Sequence, residues 1–119
     1  MAHVMIHNTQ GKENVEGASL AFVAANIALT SGQEATVLLT IEGVRVATRN
    51  YADGLQADGF PPLHELLSQF VQSGGQLWVC GACAKPRGIS EADLVEGARI
   101  IGAATAIEAL VNGARGLSF

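Results

Sequence analysis

The sequence has little cysteine and little charge, and each shortage excludes a class of protein. Only two of the 119 residues are cysteine, which is too few for a disulfide-stabilised secreted scaffold. Charged residues make up 15% of the chain, and its seven Lys and Arg residues are scattered rather than clustered. Electrostatic binding of nucleic acid needs clustered basic residues, so we expect no direct contact with nucleic acid.

Long apolar runs and a leader segment are also lacking. The uncharged stretch 17–33 contains serine, asparagine, threonine and two glycines, and it falls short of the roughly 20 apolar residues that span a bilayer. The first residues lead into a strand-like segment without the basic and long apolar regions of a signal peptide. We therefore expect a cytoplasmic protein with no membrane association.

Apolar residues are abundant by contrast and make up 49% of the chain. A small monomer that exposed much of this apolar surface would tend to associate. We therefore expect a homo-oligomer in which part of the apolar surface lies in subunit contacts. The alternative is that an alanine-rich core accounts for the composition without any partner.

Segments typical of strands alternate with segments typical of helices, which predicts a parallel sheet in a layered α/β fold. A chain of this length is expected to form one domain, 1–119. Segment 42–62 is the least regular, with three glycines and two consecutive prolines, and such segments are often functional or oligomer-forming. The predicted strands are 3–7, 35–41, 76–80, 98–101 and 116–119, and the predicted helices are 14–29, 63–71 and 104–111.

The two cysteines, Cys80 and Cys83, lie three residues apart where the strand 76–80 ends. In open α/β sheets, functional sites form outside the carboxyl ends of the strands. Two cations, Lys85 and Arg87, follow the thiols closely, and nearby cations and backbone N–H groups stabilise the reactive thiolate. The pattern predicts a reactive thiol at Cys80; an inert, half-buried cysteine is the alternative.

The residues after the thiols have predicted supporting roles. Arg87 either orients an incoming anionic group or braces the loop by a hydrogen bond to a backbone carbonyl. Lys85 is expected to be a solvated charge that helps the thiolate electrostatically, whereas Gly81 and Gly88 are expected to serve turn geometry. Downstream, Ser90 to Asp93 has the N-cap signature of a short helix.

The sequence gives little support for a metal site or a nucleotide-binding site. A structural zinc needs four ligands, and the chain has only two cysteines. His3 and His7 share one face of a predicted strand but lie too far apart to hold one ion easily, and His64 is predicted on the polar side of a helix. Gly11-Lys12 lacks the first glycine and the Ser/Thr of a P-loop. We expect neither a metal nor a cofactor.

One arrangement of residues resembles a known family along the whole chain. Cys80 lies seven residues before an Arg-Gly-Ile-Ser sequence, and this spacing resembles that of the DsrE/DsrF-like family. The pair of cysteines is similar to its YchN-like, two-cysteine branch, although three residues separate the pair from Arg87 here. The matching residues are Cys80, Arg87-Gly88-Ile89-Ser90, Leu94-x-Glu96-Gly97, Ile101-Gly102 and Leu117-Ser118-Phe119.

The resemblance implies a three-layer α/β/α sandwich with a mainly parallel sheet of about five strands, assembled as a trimer or hexamer. It implies a sulfur-relay protein that carries a persulfide on the cysteine matching Cys80, with a sulfur-donor or acceptor protein as partner. Cys83 would then either act as the resolving thiol, which attacks the persulfide and releases sulfide, or protect Cys80 as a disulfide. Two alternatives stay open. One is a dithiol–disulfide redox protein, and the other is a non-enzymatic oligomeric binding or regulatory subunit.

Overall fold

The computed structural model describes residues 1–119 and has the predicted alternation of strands and helices. A four-residue helix directly after the cysteine-bearing strand is the one α-helix that the sequence pattern did not indicate. The elements are β1 (His3–Asn8), α1 (Val15–Thr30), β2 (Glu34–Leu39), α2 (Leu63–Gln72), β3 (Gln76–Cys80), α3 (Gly81–Ala84), β4 (Ala98–Ile101), α4 (Ala103–Val111) and β5 (Arg115–Ser118).

The five strands form one sheet in the order β4-β3-β2-β1-β5, and every neighbouring pair is parallel. Parallel neighbours need a crossover connection, usually a helix. Helices α1 and α2 make these connections from β1 to β2 and from β2 to β3 and lie on one side of the sheet. Helix α4 links β4 and β5 at opposite edges and packs on the other side, through Ala106. The predicted α/β/α sandwich is confirmed.

The side of the sheet under α1 and α2 holds the main core, which we call the core face. Phe22 of α1 and Phe70 of α2 meet edge to face there, with ring centroids 5.9 Å apart, and both are fully buried. The cluster contains 20 buried residues. The side under α4, which we call the second face, has a cluster of four: Met5, Trp78, Ile101 and Ala106.

Local signals in the sequence fix the helix ends. The side chain of Asn14 caps α1 by accepting a hydrogen bond from the backbone N–H of Gly17 at 2.9 Å. Gly32, with φ +84°, takes the left-handed conformation that ends the helix. Ser90 and Asp93 form the predicted capping box around the 3₁₀ turn Glu91–Asp93.

Segment 42–62 is more ordered than the sequence suggests. It opens within a 3₁₀ helix, Ile41–Ala47, and Val44, Val46 and Ala47 of this helix are fully buried in the core face. The segment therefore contributes core packing before it reaches its irregular part. None of the helices combines the length and apolarity needed to cross a membrane.

Candidate functional site

Both cysteines lie at the carboxyl edge of the sheet. Cys80 is the last residue of β3, where it is paired with Ile101 at the end of β4. Cys83 lies one turn further on, in α3. Both thiols are free and half-buried. The structure thus brings the two predicted site residues together at the edge where parallel α/β sheets place their sites.

The two predicted glycines near the cysteines, Gly81 and Gly88, are needed for different structural reasons. A Cβ on Gly81 would lie 3.2 Å from Ile100 Cγ2 and 3.4 Å from the carbonyl oxygen of Ile101, so Gly81 lets α3 pack closely on β4. Gly88 has φ +71° and a left-handed conformation that ends the 3₁₀ turn Lys85–Arg87. Both positions support the geometry of the loop, as the sequence suggested.

Arg87 braces the loop by bonding to two separate parts of the chain. Its Nη1 donates to the carbonyl oxygen of Cys83 at 3.1 Å. Its Nε donates to Oε2 of Glu42 at 2.6 Å, so a carboxylate matches the guanidinium charge. Lys85 is exposed and forms no ion pair. Of the two predicted cations, Lys85 is therefore the one whose charge is unmatched.

Glu42 is the residue at this edge that the sequence analysis missed. It follows β2 by three residues, and its carboxylate binds two arginines: Arg87 through Oε2, and Arg45 Nε through Oε1 at 2.9 Å. Hydrogen bonds from Arg87 and then Arg45 hold the pKa of the Glu42 carboxyl below its usual range. The sequence contained a signal that could have identified Glu42, because an acidic residue just beyond a buried strand lies where sites form.

The backbone around Glu42 is unusually constrained. Ile41 has φ +55°, a conformation that β-branched residues adopt only as outliers. On the other side, the N–H of Gly43 donates to the carbonyl of Thr9 at 3.1 Å, and a Cβ on Gly43 would overlap the carbonyl oxygen of Asn8. Glu42 is therefore held between two fixed backbone positions.

The histidines do not join the thiols. His3 Nε2 lies 2.8 Å from Thr36 Oγ1 and His7 Nε2 lies 2.6 Å from Thr40 Oγ1, which satisfies each ring locally. His64 is exposed on α2 and lines a separate cavity of about 250 Å³ with Arg49 and Asp53. No group of three or more His, Cys, Asp or Glu side chains is placed to hold a metal ion.

A cavity of about 490 Å³ lies between α2 and the segment 95–97, away from the thiols. It is lined by Leu67, Ser68, Val71, Gln72, Val95, Glu96 and Gly97. The cysteines are not part of it, and they are partly exposed at the rim of the sheet. Their position suits a thiol that meets another molecule at the surface.

These features define a class: parallel α/β/α sandwiches with a dithiol where an inner strand ends. The chain belongs to the DsrE/DsrF-like family, whose model matches residues 2–119. This family is associated with sulfur relay.

Two archaeal relatives support the assignment. Protein MJ0760 of Methanocaldococcus jannaschii is 34% identical over 102 residues, which are 86% of this chain and 37% of that protein. MK0008 of Methanopyrus kandleri is 34% identical over 87 residues, covering 71% of this chain and 69% of that protein. Both are named as uncharacterized proteins. The chain thus spans little more than a third of MJ0760.

Two solved structures share the fold over the full length of both chains. YchN from E. coli superimposes with a TM-score of 0.83 at 17% identity. MTH1491 from Methanobacterium thermoautotrophicum, titled a protein of unknown function, superimposes with a TM-score of 0.77 at 15% identity. At these identities the likeness concerns the fold alone, and it agrees with the predicted similarity to YchN.

Proposed function

We propose that this chain is a cytoplasmic sulfur-relay protein that carries sulfane sulfur as a persulfide on Cys80, with Cys83 as the resolving thiol. The observation that carries the proposal is the position of the two thiols. Cys80 ends β3, an inner strand of the sheet, and Cys83 follows it three residues later in α3. Membership of a family associated with sulfur relay supports the same assignment.

Loading needs a nucleophilic thiolate and a donor with a sulfane sulfur. With thiosulfate as donor, the Cys80 thiolate attacks the outer sulfur, a new S–S bond forms, and sulfite leaves with the electron pair of the broken bond. Cys80 is partly exposed, so a donor can reach it. Exposed Lys85 lies in the same loop and its charge is unmatched by any carboxylate.

Release of the sulfur can occur on the same chain. The Cys83 thiolate attacks the inner sulfur of the Cys80 persulfide, the Cys80–Cys83 disulfide forms, and hydrosulfide leaves with the electron pair. Transfer to an acceptor protein needs only the attack of an outside thiolate on the outer sulfur. Both routes begin with the same loaded Cys80.

We also propose that the chain works as a homo-oligomer, a trimer or hexamer as in the family. A patch on α4 supports association, and we call it the α4 patch. It consists of the exposed apolar side chains of Val111 at 78%, Ile107 at 57% and Leu110 at 42% exposure. Exposed patches of this kind mark association surfaces.

Intact-mass measurements test the thiol chemistry. The reduced protein is incubated with thiosulfate or polysulfide, or with a cysteine desulfurase and cysteine. We expect a gain of one sulfur atom in the wild type and in Cys83→Ala, and no gain in Cys80→Ala. A gain that persists in Cys80→Ala would contradict the assignment of the carrier.

A dithiol–disulfide redox protein is the second candidate, and the three-residue spacing of Cys80 and Cys83 favours it, since this spacing is typical of redox dithiols. In this case, mild oxidants would remove two hydrogen atoms from the protein, and no sulfur donor would produce an adduct. A protein that shows neither change would be a non-enzymatic binding or regulatory subunit.

A further inference from the structure

We propose that Glu42 is a positioning residue that acts through Arg87 to hold Cys83 where it can attack a sulfur carried by Cys80. The inference rests on the proposed persulfide function and assigns a role to a carboxylate that is not itself part of the thiol chemistry. Its basis is a continuous series of contacts from the end of β2 to the second cysteine.

The series has two links, both made by one guanidinium. Glu42 Oε2 accepts a hydrogen bond from Arg87 Nε at 2.6 Å, and Arg87 Nη1 donates to the carbonyl oxygen of Cys83 at 3.1 Å. The Arg87 side chain is only 24% exposed, so its position is restricted. A charge-assisted bond of this kind has a defined geometry as well as strength.

Cys83 needs such a brace because α3 is short. A single helical turn is unfavourable by itself, since it fixes several backbone angles for little hydrogen bonding. Pro86 has no backbone N–H to donate to an α-helical ladder, and the chain continues from α3 only as the 3₁₀ turn Lys85–Arg87. The Arg87 side chain therefore supplies a donor to the Cys83 carbonyl from outside the helix.

Glu42 is a suitable anchor because its own position is fixed. The positive φ of Ile41 and the close approach of Gly43 to Asn8 hold the backbone on both sides, independently of the Arg45 bond to the second carboxylate oxygen. Backbone outliers of this type persist where the surrounding structure enforces them, and they cluster at functional sites.

The two chemical steps depend on this brace differently. Loading requires only Cys80 and the donor. Resolution requires the sulfur of Cys83 to reach the inner sulfur of the Cys80 persulfide, and small misplacements of reacting atoms can slow a reaction by about 100-fold. Weakening the Glu42–Arg87 bond should therefore slow release of hydrosulfide and leave loading unchanged.

The experiment separates these steps in a single turnover. Wild type, Glu42→Gln and Arg87→Lys are loaded with thiosulfate, freed of excess donor, and followed by mass and by sulfide release without reductant. We expect loading within about twofold of wild type, and sulfide release at least about tenfold slower in both variants.

Arg45→Gln is the matched control. It removes the other arginine from the same carboxylate but leaves the route from Glu42 to Cys83 in place, so its release rate should match wild type. Normal release in Glu42→Gln and Arg87→Lys would overturn the proposal. Equal slowing in Arg45→Gln would also overturn it, because a general loss of local structure would then explain the effect.

A second measurement distinguishes failure of this proposal from failure of the persulfide function. If wild type takes up no sulfur, the persulfide function fails. Closure of the Cys80–Cys83 disulfide by diamide, which accepts the two hydrogen atoms, still tests the same approach of Cys83. We expect slower closure in Glu42→Gln and Arg87→Lys and an unchanged rate in Arg45→Gln; equal rates in all four proteins would contradict the role of Glu42.

Discussion

The two faces of the sheet differ in how completely one chain covers them. The core face lies under two helices of 16 and 10 residues and encloses 20 buried residues. The second face lies under the nine residues of α4 and encloses four. The difference indicates that the core face provides most of the stability of the folded chain, while on the side of the second face large apolar side chains of α4 stay exposed.

The side chains of α4 show why its cover is incomplete. Ala106 is the only residue of this helix that is buried, and alanine contributes little apolar area. The larger residues Ile107, Leu110 and Val111 point outward and are exposed. The apolar side of α4 is therefore mostly exposed in the single chain.

The largest expected effect comes from two adjacent leucines of β2 that face opposite ways. Leu39 is fully buried in the core face, whereas Leu38 is partly buried against the second face. Leu39→Ala should lower the free energy of unfolding by about 2–5 kcal/mol and Leu38→Ala by about half as much. Urea denaturation of the two variants measures this. Equal losses would contradict the difference between the faces.

A second pair of substitutions tests how tightly each side is packed. A Cβ on Gly75 would overlap the ring of Phe70 on the core face, whereas a Cβ on Gly116 of β5 would make only ordinary contacts, the nearest at 3.9 Å. Gly75→Ala should destabilise the protein by about 1–3 kcal/mol. Gly116→Ala should be neutral or stabilise it by up to about 1 kcal/mol. Thermal unfolding of both variants measures these changes. A larger loss of stability in Gly116→Ala than in Gly75→Ala would contradict the difference in packing.

A third test asks whether the α4 patch is a subunit contact. Ile107→Glu places a charge in this patch, and Ile27→Glu places one at an equally exposed position of α1. Each should change folding stability by no more than about 0.5 kcal/mol. We expect light scattering to show a smaller assembly for Ile107→Glu alone. Dissociation by Ile27→Glu instead would place the contact on α1.

The smallest expected effect is a loss of local stability when the pH is lowered. It concerns the loops that complete the core face. Hydrogen bonds from Arg87 and Arg45 lower the pKa of Glu42, and hydrogen bonds from Ser90 lower that of Asp93. A folded-state pKa below the unfolded value stabilises the protein above the ordinary carboxyl range, about 3.9–4.3, and this contribution is lost as pH falls through the lowered values.

Hydrogen exchange at a series of pH values measures this effect. After correction for the intrinsic pH dependence, amides of 41–47 and 90–94 should lose protection below about pH 4, and those of α4 should not. In Glu42→Gln, protection of 41–47 should no longer change in this range. Equal loss of protection in α4 would mean that the carboxylates do not act locally.

Much of the fold could be predicted because its signals are local. Asn14 and Gly32 mark the ends of α1 by rules that involve only neighbouring residues, and the apolar spacing of α2 places its buried side. The four-residue helix α3 was missed because it is too short to show a helical period. The strand order also left no local pattern, since it depends on pairing between distant segments.

Part of the candidate site could likewise be predicted from local sequence, and part could not. The apolar run 76–79 predicts that Cys80 ends a strand, and Cys80 is the last residue of β3. The carboxyl ends of parallel strands are where sites form. Arg87 was expected to bond either to an anion or to a backbone carbonyl, and it bonds to the Cys83 carbonyl and to a carboxylate of the chain itself. Its partner Glu42 is 45 residues away, beyond the reach of periodicity or capping rules.

The position of Trp78 has a practical consequence. It is the single tryptophan of the chain, it is buried among the four residues under α4, and the guanidinium of Arg99 lies over its ring, 5.5 Å from the centroid. Its intrinsic fluorescence therefore reports on the side of the sheet that one chain covers least. An emission change on dilution would detect opening of that side while circular dichroism, dominated by the helices, remained constant.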